Sequence, residues 1–113
     1  MQDLHPFVAS LLDLWRSKCP SGGVPRRTEF DVFTLQPWLG WLTVYEELAD
    51  GADFLVRLDG TNIVALTGDE WTGQRMSDKD PRYTFPVLEV LRRAVREREP
   101  VGDQFYIPAV KNF

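Results

Sequence analysis

An α+β domain, with a small antiparallel sheet flanked by short helices, is predicted for this 113-residue chain by three observations. Apolar residues recur at helical spacing in two segments, 4–18 and 84–98. Two β-rich segments, 41–47 and 53–59, are separated by four turn-forming residues, Ala-Asp-Gly-Ala at 49–52. Several short helical stretches then follow, each stopped by a glycine. A chain of this length makes one domain and buries one core without staples.

The first helix rests on Leu4, Val8, Leu11 and Trp15, with Phe7, Leu12 and Leu14 widening the stripe. Asp3 is placed to cap its start, and Cys-Pro-Ser-Gly-Gly at 19–23 ends it. So wide a stripe either packs back on its own domain or also pairs with a second copy. Pro25 favours an extended linker over 24–28. A short helix over 31–37 begins at Asp31 and is broken by Pro37 and Gly40. In the second strand Phe54, Val56 and Leu58 are expected on one face, with Leu55, Arg57 and Asp59 on the other. Thr61 is expected to cap a helix over 61–66 that Gly68 stops, and another helical turn is expected over 69–72 before Gly73. Ser77 to Pro81 reads as polar loop. The last helix takes Thr84 as its cap and Pro86 in its first turn, with Val87, Leu88, Leu91, Ala94 and Val95 on one face. A third strand is expected over 104–107.

Composition excludes several classes of function. Hydrophobic residues at 43% and charged ones at 27% are values of a globular chain, not a disordered one. Thirteen basic against seventeen acidic side chains argue against a nucleic-acid partner. The one basic concentration, Arg92, Arg93, Arg96 and Arg98, is interleaved with Glu89, Glu97 and Glu99 and reads as a solvated helix face. With one Cys and one His no Cys/His zinc site forms, and no disulfide closes within the chain. No apolar run nears the ~20 residues that span a bilayer, and no signal peptide is visible. A cytoplasmic location is expected. The single His and the lack of Gly-x-Ser-x-Gly, His-Glu-x-x-His or phosphate-loop motifs argue against an enzyme.

The order helix, short helix, two strands, small helices, long helix, strand resembles the PAS fold. The match extends to particular residues: Leu14-Trp15, then Pro25, Arg27 and Asp31, then Arg57-Leu-Asp-Gly-Thr61, then a Gly-x-x-x-Thr-Gly element within Gly68 to Gly73. These look like a family of short bacterial PAS-like proteins, mostly alphaproteobacterial, with residues 1–23 as N-terminal helix and linker and 24–113 as the PAS-like domain. The resemblance implies a five-stranded sheet, of which about three strands are visible, so the last two are expected to be lacking. It also implies a non-catalytic module that binds a small molecule or a signalling protein, works as a homodimer, and holds its ligand between the inner sheet face and the small helices.

Candidate ligand residues on that reading are Arg57, Tyr45, Trp71 and Tyr83, and the candidate dimer helix carries Leu4, Val8, Leu11 and Trp15. Arg57 stands mid-strand among apolar residues, where its charge needs an outlet. It either pairs with Asp31, Glu46 or a backbone carbonyl, or grips a carboxylate or other anionic ligand. Tyr45 and Tyr83 could offer hydroxyls to a ligand, and Trp71 walls a cavity or plugs the core. No cofactor is indicated. Covalent flavin chemistry in this fold needs a Cys on a later helix, and haem needs a His on the long helix; Cys19 and His5 stand on neither. The competing readings are a small enzyme on a ketosteroid-isomerase-like cone fold and a pure dimerisation scaffold.

Overall fold

The structure, a computed structural model, describes residues 5–21 and 23–102. Helix α1 (Pro6–Lys18) starts with Pro6, whose missing amide costs nothing there. His5 caps it, with Nδ1 accepting from the Phe7 N–H at 3.1 Å. Asp3, the expected cap, lies outside the described residues. Asp31 caps α2 (Val32–Leu35) as expected, its Oδ1 accepting from the Thr34 N–H at 2.7 Å. The α-helix stops short of Pro37 and tightens into a 3₁₀ segment, Gln36–Trp41, because proline has no amide to continue the ladder.

Strands β1 (Thr43–Leu48) and β2 (Asp53–Asp59) form the expected antiparallel hairpin. Its turn holds three successive residues in the left-handed region, Ala49, Asp50 and Gly51, at φ 52°, 55° and 88°. The faces of β2 depart from simple alternation. Val44 pairs with Leu58 but Tyr45 pairs with Val56, so Arg57 is an extra residue in a β-bulge. A bulge shifts the parity of all that follows. Phe54 and Val56 face inward at 2% and 1% exposure, whereas Leu58 turns outward at 38%. Asp59, expected outside, comes back to the inner side opposite Thr43.

Gly60 caps α3 (Thr61–Thr67), and Thr61 is the first helical residue instead of the cap. Gly68 ends the helix at φ 85°, its N–H reaching the Val64 carbonyl at 2.7 Å, a conformation that glycine adopts freely. No helical turn follows at 69–72. That backbone is recruited by β2 instead: Asp59 accepts the Trp71 N–H, Val56 exchanges bonds with Gly73 and Gln74, and Leu55 bridges Arg75. The segment thereby covers the edge of β2 that β1 leaves open. A 3₁₀ turn, Met76–Asp78, replaces the expected loop and is tied to β2 by Ser77, whose N–H and hydroxyl donate to Asp53 at 3.1 and 2.6 Å.

Helix α4 (Pro81–Glu97) begins three residues earlier than expected. Asp80 is its cap, Pro81 fills its first position, and Pro86 therefore falls in the second turn. Thr84, the expected cap, is 2% exposed inside the helix. The core gathers Phe54, Val56 and Met76 on the inner sheet face, with Tyr45, Trp71, Val87, Leu88 and Leu91 packed around them. The third strand expected over 104–107 lies outside the described residues.

Candidate functional site

Tyr45 and Trp71 share one neighbourhood. Both pack against the core cluster, and Tyr45 meets Phe54 edge to face at 6.4 Å. Asp59 links them, accepting from the Thr43 hydroxyl at 3.2 Å with one oxygen and from the Trp71 N–H at 3.1 Å with the other. Burial pushes the Tyr45 hydroxyl up to about 12; a hydrogen bond with Thr43 partly opposes this, and the Asp59 charge adds to it. Tyr45 thus stays neutral at physiological pH, and both Asp59 oxygens are engaged in holding the segment at Trp71. The indole Nε1 of Trp71 donates to Asp69 at 3.2 Å, and the Lys79 ammonium lies 5.2 Å from its ring centroid.

Arg57 does not join them. It points to the outer face, away from Phe54 and Val56, where Nε donates to Glu46 Oε1 at 2.8 Å and Nη2 donates to the same oxygen. The pair sits in solvent, with side chains 57% and 43% exposed. Tyr83 belongs to α4, and its side chain lies outside what the structure describes. Arg57 is not among the residues that line the groove described below. Among the described residues no group of three or more His, Cys, Asp or Glu is placed to hold a metal ion.

A second feature is an open groove of about 510 Å³ between α1 and the end of α4. Val8, Leu11, Leu12 and Trp15 line one wall, Ala94, Val95 and Val101 another, with Glu47, Arg98 and Glu99 among the polar residues around it. Three of the four stripe residues singled out from the sequence, Val8, Leu11 and Trp15, are therefore here; Leu4 lies outside the described residues. The opposite flank of α1 is anchored elsewhere. Trp38 Nε1 donates to the Phe7 carbonyl and the Ser10 hydroxyl, both at 3.1 Å, and its ring lies 6.3 Å from that of Phe7. The apolar face of α4 divides in the same way, with Val87, Leu88 and Leu91 on the core and Ala94 and Val95 on the groove.

Arg92 joins this region to the sheet. Its Nε and Nη2 donate to the carbonyls of Gly51 and Ala52 at 3.1 and 2.7 Å, fastening the hairpin turn to α4. The sequence assigned Arg92 to a solvated face, because nothing in its spacing announces a partner some forty positions away. Glu47 and Arg98 were likewise not legible as groove residues. The first looked like one more strand-end charge, and the second depends on a left-handed cap at φ 55° that closes α4.

A family model for the PAS domain matches residues 4–101. The chain belongs to the PAS domain family. No curated protein and no solved structure matches it. Membership gives the broad role of a sensory or interaction module, and the α+β architecture agrees with a PAS-like fold. In this PAS domain the inner sheet face is occupied by Phe54, Val56 and Met76, while the open volume lies outside the core, between α1 and α4. No described helix is long and apolar enough to cross a membrane.

Proposed function

We propose that this chain is a non-catalytic PAS module of bacterial, cytoplasmic signalling whose working surface is the groove between α1 and α4. In this reading residues 1–23 form a contact arm on the PAS unit of 24–113, and the partner is a second copy or a signalling protein. The observation that carries it is the division of the α1 stripe. A helix meant only to complete its own core would bury that stripe, yet Val8 is 48% exposed and none of α1 is fully buried. Arg92 offers the route inward, since a shift of α4 against α1 pulls on the hairpin turn it holds.

Light scattering of the full chain, with and without Val8→Glu and Leu12→Glu, tests the reading. The native chain is expected at twice the mass of the variant; equal masses remove the dimer arm. A pure dimerisation scaffold is the second reading, favoured by the filled inner sheet face. Native mass spectrometry of freshly purified protein separates the two, because a co-purifying small molecule supports sensing. On the sensing side, Tyr45, Trp71 and Tyr83 remain the candidate wall of an interior site. Arg57 remains a candidate anion contact only where a ligand displaces Glu46.

A further inference from the structure

We propose that residues 69–72 form a gate over the interior, hinged at Gly68 and Gly73, with Trp71 as its plug and Asp59 as its latch; this rests on the sensing side of the reading above, whose interior wall includes Trp71. The two glycines stand at φ 85° and 83°, in the left-handed region that glycine enters and leaves at little cost. Packing does not explain Gly73, because a Cβ there would meet nothing within 4 Å. Between the hinges Asp69, Glu70 and Thr72 are exposed, while Trp71 is half-buried against the Phe54, Val56 and Met76 cluster. One large side chain thus anchors the segment inward.

The bond from the Trp71 N–H to Asp59, at 3.1 Å, ties the segment to the sheet, and the Thr43 hydroxyl holds the other Asp59 oxygen in place. Other ties are local to the hinges. The Thr67 hydroxyl donates to the Asp69 carbonyl at 3.2 Å, and Gln74 donates to the carbonyls of Glu70 and Trp71 at 3.3 and 2.9 Å. The indole bond to Asp69 lies within the segment and travels with it, and the Lys79 ammonium meets the ring from the fixed side. Beyond Gly73 the chain is secured. Gly73 and Gln74 exchange backbone bonds with Val56 at 2.7 and 2.9 Å, Met76 is buried, and Ser77 donates twice to Asp53. A segment with one inward anchor, one tie to the sheet and a firm base opens at lower cost than the sheet it covers. Opening withdraws the indole from the inner-face cluster, frees one Asp59 oxygen, and leaves β1, β2 and α4 in place.

Amide hydrogen exchange of the full-length protein, read residue by residue by NMR, tests the gate. In the native chain the Trp71 amide is expected to be at least about tenfold less protected than the slowest amides of α4, by a margin that low urea hardly changes, since a local opening exposes little surface. Asp59→Ala removes the latch and is expected to speed Trp71 by about tenfold or more, as loss of a bond to a charged group does. Arg92→Ala is the discriminating variant. The Arg92 bonds to Gly51 and Ala52 persist while the gate is open. Their loss is therefore expected to speed the slow α4 amides by about tenfold and to leave Trp71 unchanged. A Trp71 amide that follows α4 in urea and in Arg92→Ala overturns the gate, and one that ignores Asp59→Ala overturns the latch. If thermal melts show Asp59→Ala to be misfolded, Asp59→Asn replaces it; a smaller acceleration is expected, and none overturns the latch. Native mass spectrometry keeps gate and sensing apart. A chain that passes the exchange tests but carries no small molecule removes the sensing reading and leaves the gate, whereas a bound molecule does not rescue a Trp71 amide that moves with α4.

Discussion

Gly60 carries no side chain at a point where the backbone passes close to itself. A Cβ there would meet the Gly40 carbonyl oxygen, with the Gly40 carbonyl carbon at 2.7 Å and the Leu42 oxygen at 2.8 Å. Its own N–H already bonds that Leu42 oxygen at 2.8 Å, so the crossing has little freedom to open. Its φ of −64° is ordinary, which makes the requirement one of space and not of backbone conformation. Gly60→Ala is therefore expected to cost about 2 kcal/mol, as overpacking against fixed backbone does; urea unfolding measures it, and a loss under 0.5 kcal/mol contradicts the crossing. The glycine was visible in the sequence as a turn signal, but its neighbour was not. Nothing in a one-dimensional pattern announces that Gly40, twenty positions earlier, lies against it. Arg57 shows a related limit. Its odd position among apolar residues was legible, and Glu46 was among the partners the sequence offered. The bulge beside it, which turns Leu58 outward and brings Asp59 inward, depends on the register of two strands, which periodicity within one strand does not contain.

The hairpin and α4 stabilise one another through Arg92. Three consecutive left-handed residues make a costly turn, since only Gly51 adopts that region without a Cβ penalty. Two charge-assisted bonds from Arg92 reach the carbonyls at the end of that turn. Arg92→Ala is expected to lower stability by about 1–2 kcal/mol. Hydrogen exchange should rise first in the amides of 49–53, ahead of the rest of the sheet. Uniform acceleration across both strands would instead mean that the turn is held by the strands themselves. The elements were largely legible because each has a local signature: a proline or acidic cap, an apolar period, a glycine stop. Boundaries moved where tertiary partners intervened. Asp80 and Pro81 began α4 early, and β2 bonded the backbone at 71–75 in place of the helical turn expected over 69–72.

Across the molecule, pH is expected to loosen the structure from both ends. Backbone and side-chain hydrogen bonds from Thr34 hold the Asp31 carboxyl below its usual range, and bonds from Arg82 do the same for Asp80. Asp53 is pulled upward by partial burial but ends lowered, because Ser77 and the Phe54 N–H donate to it. Carboxyls with depressed native values stabilise the fold above their ordinary 3.8, and that contribution is lost as pH falls below it. The losses fall at the caps of α2 and α4 and at the tie between β2 and Met76–Asp78. Tyr45 acts at the other end. Its hydroxyl ionises near 10.0 when unfolded and about 12 when folded, so stability is full below pH 10 and declines through that interval, by roughly 2–3 kcal/mol in all. Thermal midpoints across pH should form a plateau bounded by these two declines. Replacing Tyr45 by Phe should flatten the alkaline one, and an unaltered alkaline limb would assign it to another group.

The two flanks of α1 answer to different demands. Trp38 grips Phe7 and Ser10 on one, and the groove claims Val8, Leu12 and Trp15 on the other. Under the function proposed above, substitutions on the groove flank retune whom the domain meets, and those on the Trp38 flank shift stability without changing that choice. The two traits are free to diverge under selection, within four turns of a single helix.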